Sequence, residues 1–186
     1  QGKTLAAYYW AKAQLERGEF GRLIFLYPTR GTATQGFLDY TGWAPEEDAL
    51  LMHGCAKYVL ESISENPTEA TENKNYLPES DARLFSLANY RRRFFSATVD
   101  QFLSFLQLDY SSLLMSVILT DSLVILDEVH SYDPKLFGTV IEFLKLMNIP
   151  TLCMTATLPT SRAKRLELVK LEFYPKNNAS ARKALE

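Results

Sequence analysis

Gly2-Lys3-Thr4 stands directly ahead of a helical pattern, and those three residue types in that place can bind phosphate. The N–H groups of a helix N-terminus surround an anion, a lysine reaches the β- and γ-phosphates, and a hydroxyl can ligate Mg2+. A complete phosphate-binding loop carries one more glycine five positions before Gly2, so the tripeptide by itself is a weak signal. A stronger one follows the apolar run Leu123-Val124-Ile125-Leu126, which leads straight into Asp127-Glu128-Val129-His130. A carboxylate at the C-terminal end of a buried strand lies on the ligand-binding edge of an open α/β sheet. There Asp127 can hold Mg2+, mostly through its water shell, while Glu128 polarises an attacking water. The plainer alternative is that both carboxylates cap the next turn and that His130 is a packed loop histidine.

Three more polar tips follow apolar runs: Met154-Thr155-Ala156-Thr157-Leu158-Pro159, Tyr27-Pro28-Thr29-Arg30 and Ala97-Thr98-Val99-Asp100-Gln101. Singly, each reads as a turn with local hydroxyl bonds or as a helix cap. Jointly, four apolar runs each end in a polar tip, and strand ends on one side of a parallel sheet share one functional edge.

The elements that must carry these tips follow from apolar periodicity. Strands are expected over 23–27, 94–98, 122–126 and 151–155, each near-continuously apolar, as strands buried on both faces are. Helices are expected over 4–17, stopped by Gly18, and over 100–108. A third, over 134–147, opens with Pro134 and carries Phe137, Val140, Ile141 and Leu144 at helical spacing. A fourth, over 161–171, is capped by Thr160 or Ser161. This alternation predicts an α/β domain with a mainly parallel sheet flanked by helices. Residues 55–90, polar and proline-containing in their middle, are expected to form a loop or helical insertion, and residues 172–186 a tail or linker.

Composition narrows the choices further. At 186 residues and 47% hydrophobic, the chain suits one domain with a sizeable core and is not wholly disordered. Its 20 Lys+Arg against 22 Asp+Glu, a net charge of −2, exclude a uniformly basic coat, so any nucleic-acid site is local. No apolar run approaches the roughly 18 residues of a membrane span, so no membrane partner is expected. Two cysteines, Cys55 and Cys153, point to a reducing cytoplasm and lack partners at metal-ligand spacing. Cys153, inside its apolar run, is expected to be core.

Taken in order, Gly2-Lys3-Thr4, Pro28-Thr29-Arg30, Thr98-Val99-Asp100-Gln101, Asp127-Glu128-Val129-His130 and Thr155-Ala156-Thr157 resemble the motifs of superfamily 2 DEAD/DEAH-like helicases. They match the first of that superfamily's two RecA-like motor domains, a P-loop NTPase fold. Thr98 to Gln101 and Asp127 to Asp133 look most like the CRISPR-associated helicase–nuclease of type I CRISPR systems. The resemblance runs from Gln1 to about Leu171, so residues 1–171 are expected to be this motor domain.

The resemblance implies that Gly2, Lys3 and Thr4 bind ATP, with Thr4 and Asp127 serving Mg2+. It implies that Glu128, Asp127 and Lys3 are catalytic, with Glu128 as the base, and that His130, Thr155 and Thr157 couple nucleotide state to strand movement. Thr29, Arg30, Thr98 and Gln101 would touch the backbone of single-stranded DNA, contacts that position a strand without reading bases. Arg91-Arg92-Arg93 is a further candidate for attracting that strand, although a charge run is usually a solvated face. The implied partners are single-stranded DNA, a second RecA-like domain and a CRISPR RNA-guided surveillance complex.

The resemblance also places the loop's first glycine and its strand before Gln1, and a second motor domain with its arginine finger beyond the chain. Apolar edges are then expected on the sheet. Negligible ATP hydrolysis is expected from these 186 residues alone, because such fingers are worth on the order of 10³–10⁵ in turnover. The competing expectation is a non-catalytic truncated module that keeps the fold and only binds nucleic acid or a protein partner.

Overall fold

A computed structural model describes residues 2–18, 20–42, 49–52, 92–103 and 118–172. In chain order these hold α1 (Lys3–Leu15), β1 (Arg22–Tyr27), α2 (Arg30–Thr41), β2 (Ala49–Met52), β3 (Phe94–Thr98), α3 (Val99–Leu103), β4 (Ser122–Leu126), a 3-10 turn (Val129–Ser131), α4 (Pro134–Leu146), β5 (Thr151–Cys153) and α5 (Thr160–Leu168). The strands make one parallel sheet in the order β2-β3-β1-β4-β5. The 55–90 insertion with Cys55, Arg91, residues 104–108 of the expected second helix and the tail from 173 lie outside the described residues.

Both faces of the central strands are covered, which is why their sequences are apolar without alternation. Ile24, Leu26, Phe95, Ala97, Val124 and Leu126 join α3, α4 and α5 in one core. The intervening residues Leu23, Phe25, Tyr27, Phe94, Leu123 and Ile125 join α1 and α2 in the other. Phe25, Phe94 and Phe95 are wholly buried, and each such side chain contributes roughly 1.5–3 kcal/mol.

Helix ends follow the local chemistry. Gly18, at φ 76°, takes a left-handed conformation just after α1, with its N–H on Leu15 O. Asp133 caps α4 by accepting from the N–H groups of Lys135 and Leu136, and Pro134 opens the helix. Phe137, Val140 and Ile141 of that helix are buried, with Leu144 half-buried beside them.

Three expectations need correction. The sheet has a fifth strand, β2, reached through α2; neither was expected. β5 ends at Cys153 instead of Thr155 and is only half-buried, because it is the edge strand. The Met154 N–H donates to Leu126 O (2.8 Å), and its carbonyl accepts from Val129 N–H (3.0 Å). α5 follows Pro159 without any side-chain cap, so neither Thr160 nor Ser161 plays that part. Cys153, half-buried at the same edge, has its thiol pushed up to about 12 by burial. Along β5, between α1 and α5, runs a groove of about 780 Å3 lined by apolar residues including Trp10, Leu152, Leu158 and Leu166.

Candidate active site

Register brings the polar tips together. Tyr27 pairs with Thr98, Leu26 with Leu126, and Leu126 with Cys153. Pro28-Thr29-Arg30, Thr98, Asp127-Glu128 and Met154-Thr155 therefore emerge on one edge of the sheet, the carboxyl edge where α/β folds bind ligands.

The acidic pair is held from several sides. Asp127 N–H donates to Leu26 O (2.8 Å), and the Tyr132 hydroxyl donates to Asp127 O (2.7 Å). Tyr132 is buried in the core; burial and nearby acidic groups push its phenol up, so it stays a neutral donor. Asp127 Oδ1 accepts from Glu128 N–H (2.9 Å). Glu128 itself has φ 48° and ψ 46°. That left-handed conformation costs a non-glycine residue on the order of 1–2 kcal/mol and persists only where surrounding contacts impose it.

Lys3, the first residue of α1, reaches across to form an ion pair with Glu128 Oε1. His130 Nδ1 lies 3.1 Å from Thr155 Oγ1, and Thr155 Oγ1 donates its proton to Thr157 O (2.6 Å). The threonine oxygen can then only accept, which assigns the imidazole proton to Nδ1. Nδ1 also stands 3.1 Å from Glu128 Oε2, but outside hydrogen-bond geometry, so among the described residues Oε2 is buried without a hydrogen-bond partner. Lys3, Glu128, His130, Thr155 and Thr157 thus form one contact chain beside Asp127.

Burial pushes the Asp127 carboxyl above its ordinary value, and neighbouring Glu128 adds to this; the Glu128 N–H, Lys3 and His130 oppose it less strongly. A divalent cation would relieve the same penalty. Gly2 caps α1 at φ 103°, and among the described residues no side-chain cap bonds the helix start. Those orphan donors face an anion naturally. The unpartnered Glu128 Oε2, the uncapped helix start and the desolvated Asp127 all fit a phosphate, a cation and a water. Thr4 is exposed beside them.

The DEAD/DEAH box helicase family model matches residues 1–166. The chain belongs to the DEAD/DEAH box helicase family. It is 38% identical over 165 residues to a protein of Myxococcus xanthus named as a CRISPR-associated nuclease/helicase, Cas3, covering 87% of this chain and 21% of that protein. Among solved structures, T. fusca Cas3–ADP matches with TM-score 0.67 and 22% identity over 92% of this chain and 19% of that one. The Pyrococcus furiosus Hef helicase domain matches with TM-score 0.59 and 18% identity over 92% of this chain and 32% of that one. The RecA-like helicase fold expected from the motifs is the fold found. The helicase chain spans about a fifth of the length of the curated relatives it matches.

Other site expectations divide. Thr29 caps α2, sharing reciprocal bonds with Thr32. Arg30 and Gln101 are exposed on α2 and α3, while Thr98 is buried at the end of β3. All four stand over β1 and β3 on the same edge. Arg92 and Arg93 precede β3 and so lie at the opposite end of the sheet, roughly 15 Å along the strand, away from any ligand at Thr98.

Sequence reasoning missed Arg162 on α5. Its Nη1 donates to Val129 O (3.1 Å) and His130 O (3.0 Å), and its Nη2 donates to Tyr132 O (2.6 Å). Its guanidinium lies 4.8 Å from the centre of the Phe137 ring. No local pattern marks it; in the sequence it is one of several basic residues after Thr160.

Proposed function

We propose that this chain is the first motor domain of an ATP-dependent helicase that moves along single-stranded DNA, acting in type I CRISPR interference. The observation that carries the reading is the Lys3–Glu128 ion pair beside Asp127, with Glu128 Oε2 left without a hydrogen-bond partner. Identity to the Myxococcus Cas3 supports the CRISPR setting, and T. fusca Cas3 structures named for ADP, ATP and AMPPNP support the nucleotide.

The residues divide the work as follows. The N–H groups around Gly2, Lys3 and Thr4 cradle the phosphates, and Lys3 moves from Glu128 onto them. Thr4 and Asp127 would hold Mg2+, which would neutralise charge at the phosphates. Glu128, freed from Lys3, orients the attacking water and takes its proton at Oε2. His130, bonded to Thr155, passes the resulting change to the Thr155–Thr157 tip. Thr29, Arg30, Thr98 and Gln101 hold the DNA backbone on the neighbouring strands. A facing RecA-like domain supplies a further cation, so turnover by these 186 residues alone is expected to be negligible.

The test is phosphate release from ATP by the full-length protein and by this chain, with and without single-stranded DNA. DNA-stimulated turnover by the full-length protein, abolished by Glu128→Gln, supports the reading. Absence of turnover would leave the non-catalytic module. Robust turnover by the isolated chain would remove the need for a second domain.

A further inference from the structure

We propose that Arg162 is a positioning residue for ATP hydrolysis: its guanidinium holds the turn that carries Glu128 and His130. The inference rests on the proposed function and extends it to a residue outside every motif of the sequence.

The turn after Asp127 has little regular bonding of its own. Ser131 N–H and Oγ both return to Glu128 O, and Tyr132 N–H reaches Val129 O only at 3.5 Å. The outward carbonyls of Val129, His130 and Tyr132 all end on one side chain, Arg162, at 2.6–3.1 Å. A guanidinium presents a planar, rigid array of donors, whereas a lysine ammonium is a compact point charge on a flexible stem. Three carbonyls fixed to one planar donor array hold the turn that begins at Glu128, whose backbone is left-handed. Because α5 follows directly on the Thr155–Thr157 tip, the same clamp joins that tip to the acidic pair through a second route, independent of the His130–Thr155 bond. The ring of Phe137 covers the guanidinium's face and keeps the array in its plane.

The experiment uses the full-length protein with single-stranded DNA and compares wild type, Arg162→Lys, Arg162→Gln and Glu128→Gln. R162K keeps the charge and a flexible aliphatic stem but loses the planar fork. Expected is a fall in kcat of about 10- to 100-fold for R162K, since small misplacement of a reacting group has that effect. The KM for ATP should stay within about threefold and Tm close to wild type, the signature of lost transition-state positioning rather than lost binding. R162K with wild-type kcat would reduce Arg162 to a packing residue and overturn the proposal. Failure of both R162K and R162Q to fold would assign the clamp to stability and overturn it equally. E128Q separates the two levels of the argument. If E128Q retains turnover, the proposed function itself fails; if E128Q is inactive and R162K is normal, only the role of Arg162 fails.

Discussion

Lys3, at the start of α1, and Glu128, just past β4, form an ion pair across 125 positions of sequence. Both side chains are about a third or more exposed, at 40% and 32%, and a pair in that setting is worth roughly 0–1 kcal/mol. A polyphosphate offers Lys3 more charge, and such charge-assisted bonds are worth about 1.5–3 kcal/mol. The lysine should therefore transfer. Lys3→Ala is expected to weaken ATP binding by about 10- to 100-fold. Glu128→Gln, which removes the competitor, should leave affinity unchanged or tighten it by no more than about fivefold. Titration with a fluorescent ATP analogue measures both. Weaker binding by E128Q would mean that Glu128 holds Lys3 in place rather than competing for it.

Asp127 makes the folded protein sensitive to pH. Burial and the neighbouring Glu128 raise its carboxyl above the unfolded value of about 3.9, so the folded state binds the proton more tightly. Its contribution to stability is fully present below the unfolded value and is lost as pH rises through the folded one. Asp127→Asn imitates the neutral form, and the Asn side-chain oxygen still accepts the Glu128 N–H. Without divalent cations, D127N should melt above wild type at pH 7–8, with the gain shrinking as pH falls toward about 4. Thermal melts across that range decide the matter. An unchanging difference would show that ionisation of Asp127 is not its cause.

Packing between α2 and β1 leaves no room at Gly36. A Cβ there would overlap Oη and Cζ of Tyr27. Tyr27 is buried and stacked on Phe25 with ring centroids 4.6 Å apart, so its ring cannot swing aside cheaply. Gly36→Ala is expected to cost about 1–3 kcal/mol, as overpacked core sites do, despite alanine's better helix propensity. Urea denaturation reads the change directly. A stabilised G36A would mean that α2 can shift on the sheet.

What the sequence disclosed and what it hid have physical reasons. β1, β3 and β4 are buried on both faces, so each appears as a near-continuous apolar run. α4 shows its buried stripe, a proline at its first position and Asp133 as cap. α2 was invisible because it buries only Ala33, Gly36 and Phe37, and small residues leave no apolar stripe. β2, four residues long, is too short to stand out. Asp127, Glu128, His130 and Thr155 could be named from strand-end logic and motif order, since each follows closely on an apolar run, and Lys3 from motif order and its place at a helix start. Arg162 could not, because its partners are backbone carbonyls, which every residue carries. Register, not residue type, put Arg92 and Arg93 at the far end of the sheet.

Thr29 carries two readings that one substitution can separate. Its side chain accepts from Thr32 N–H while Thr32 Oγ1 answers to Thr29 N–H, a reciprocal cap on α2. Thr29→Ala should therefore cost about 1 kcal/mol of stability whatever else Thr29 does. Aspartate caps a helix at least as well and places its negative charge favourably at the N-terminus, so Thr29→Asp should fold with near-normal stability. Against a DNA backbone the same charge is repulsive. If Thr29 lies on the strand path, T29D should lower single-stranded DNA affinity by about tenfold or more at moderate salt, and the loss should shrink as salt rises. Fluorescence anisotropy with a labelled oligonucleotide, run beside a denaturation curve, reads the two effects separately. Normal DNA binding by a stable T29D would leave Thr29 as a cap and move the strand path toward Thr98 and Gln101.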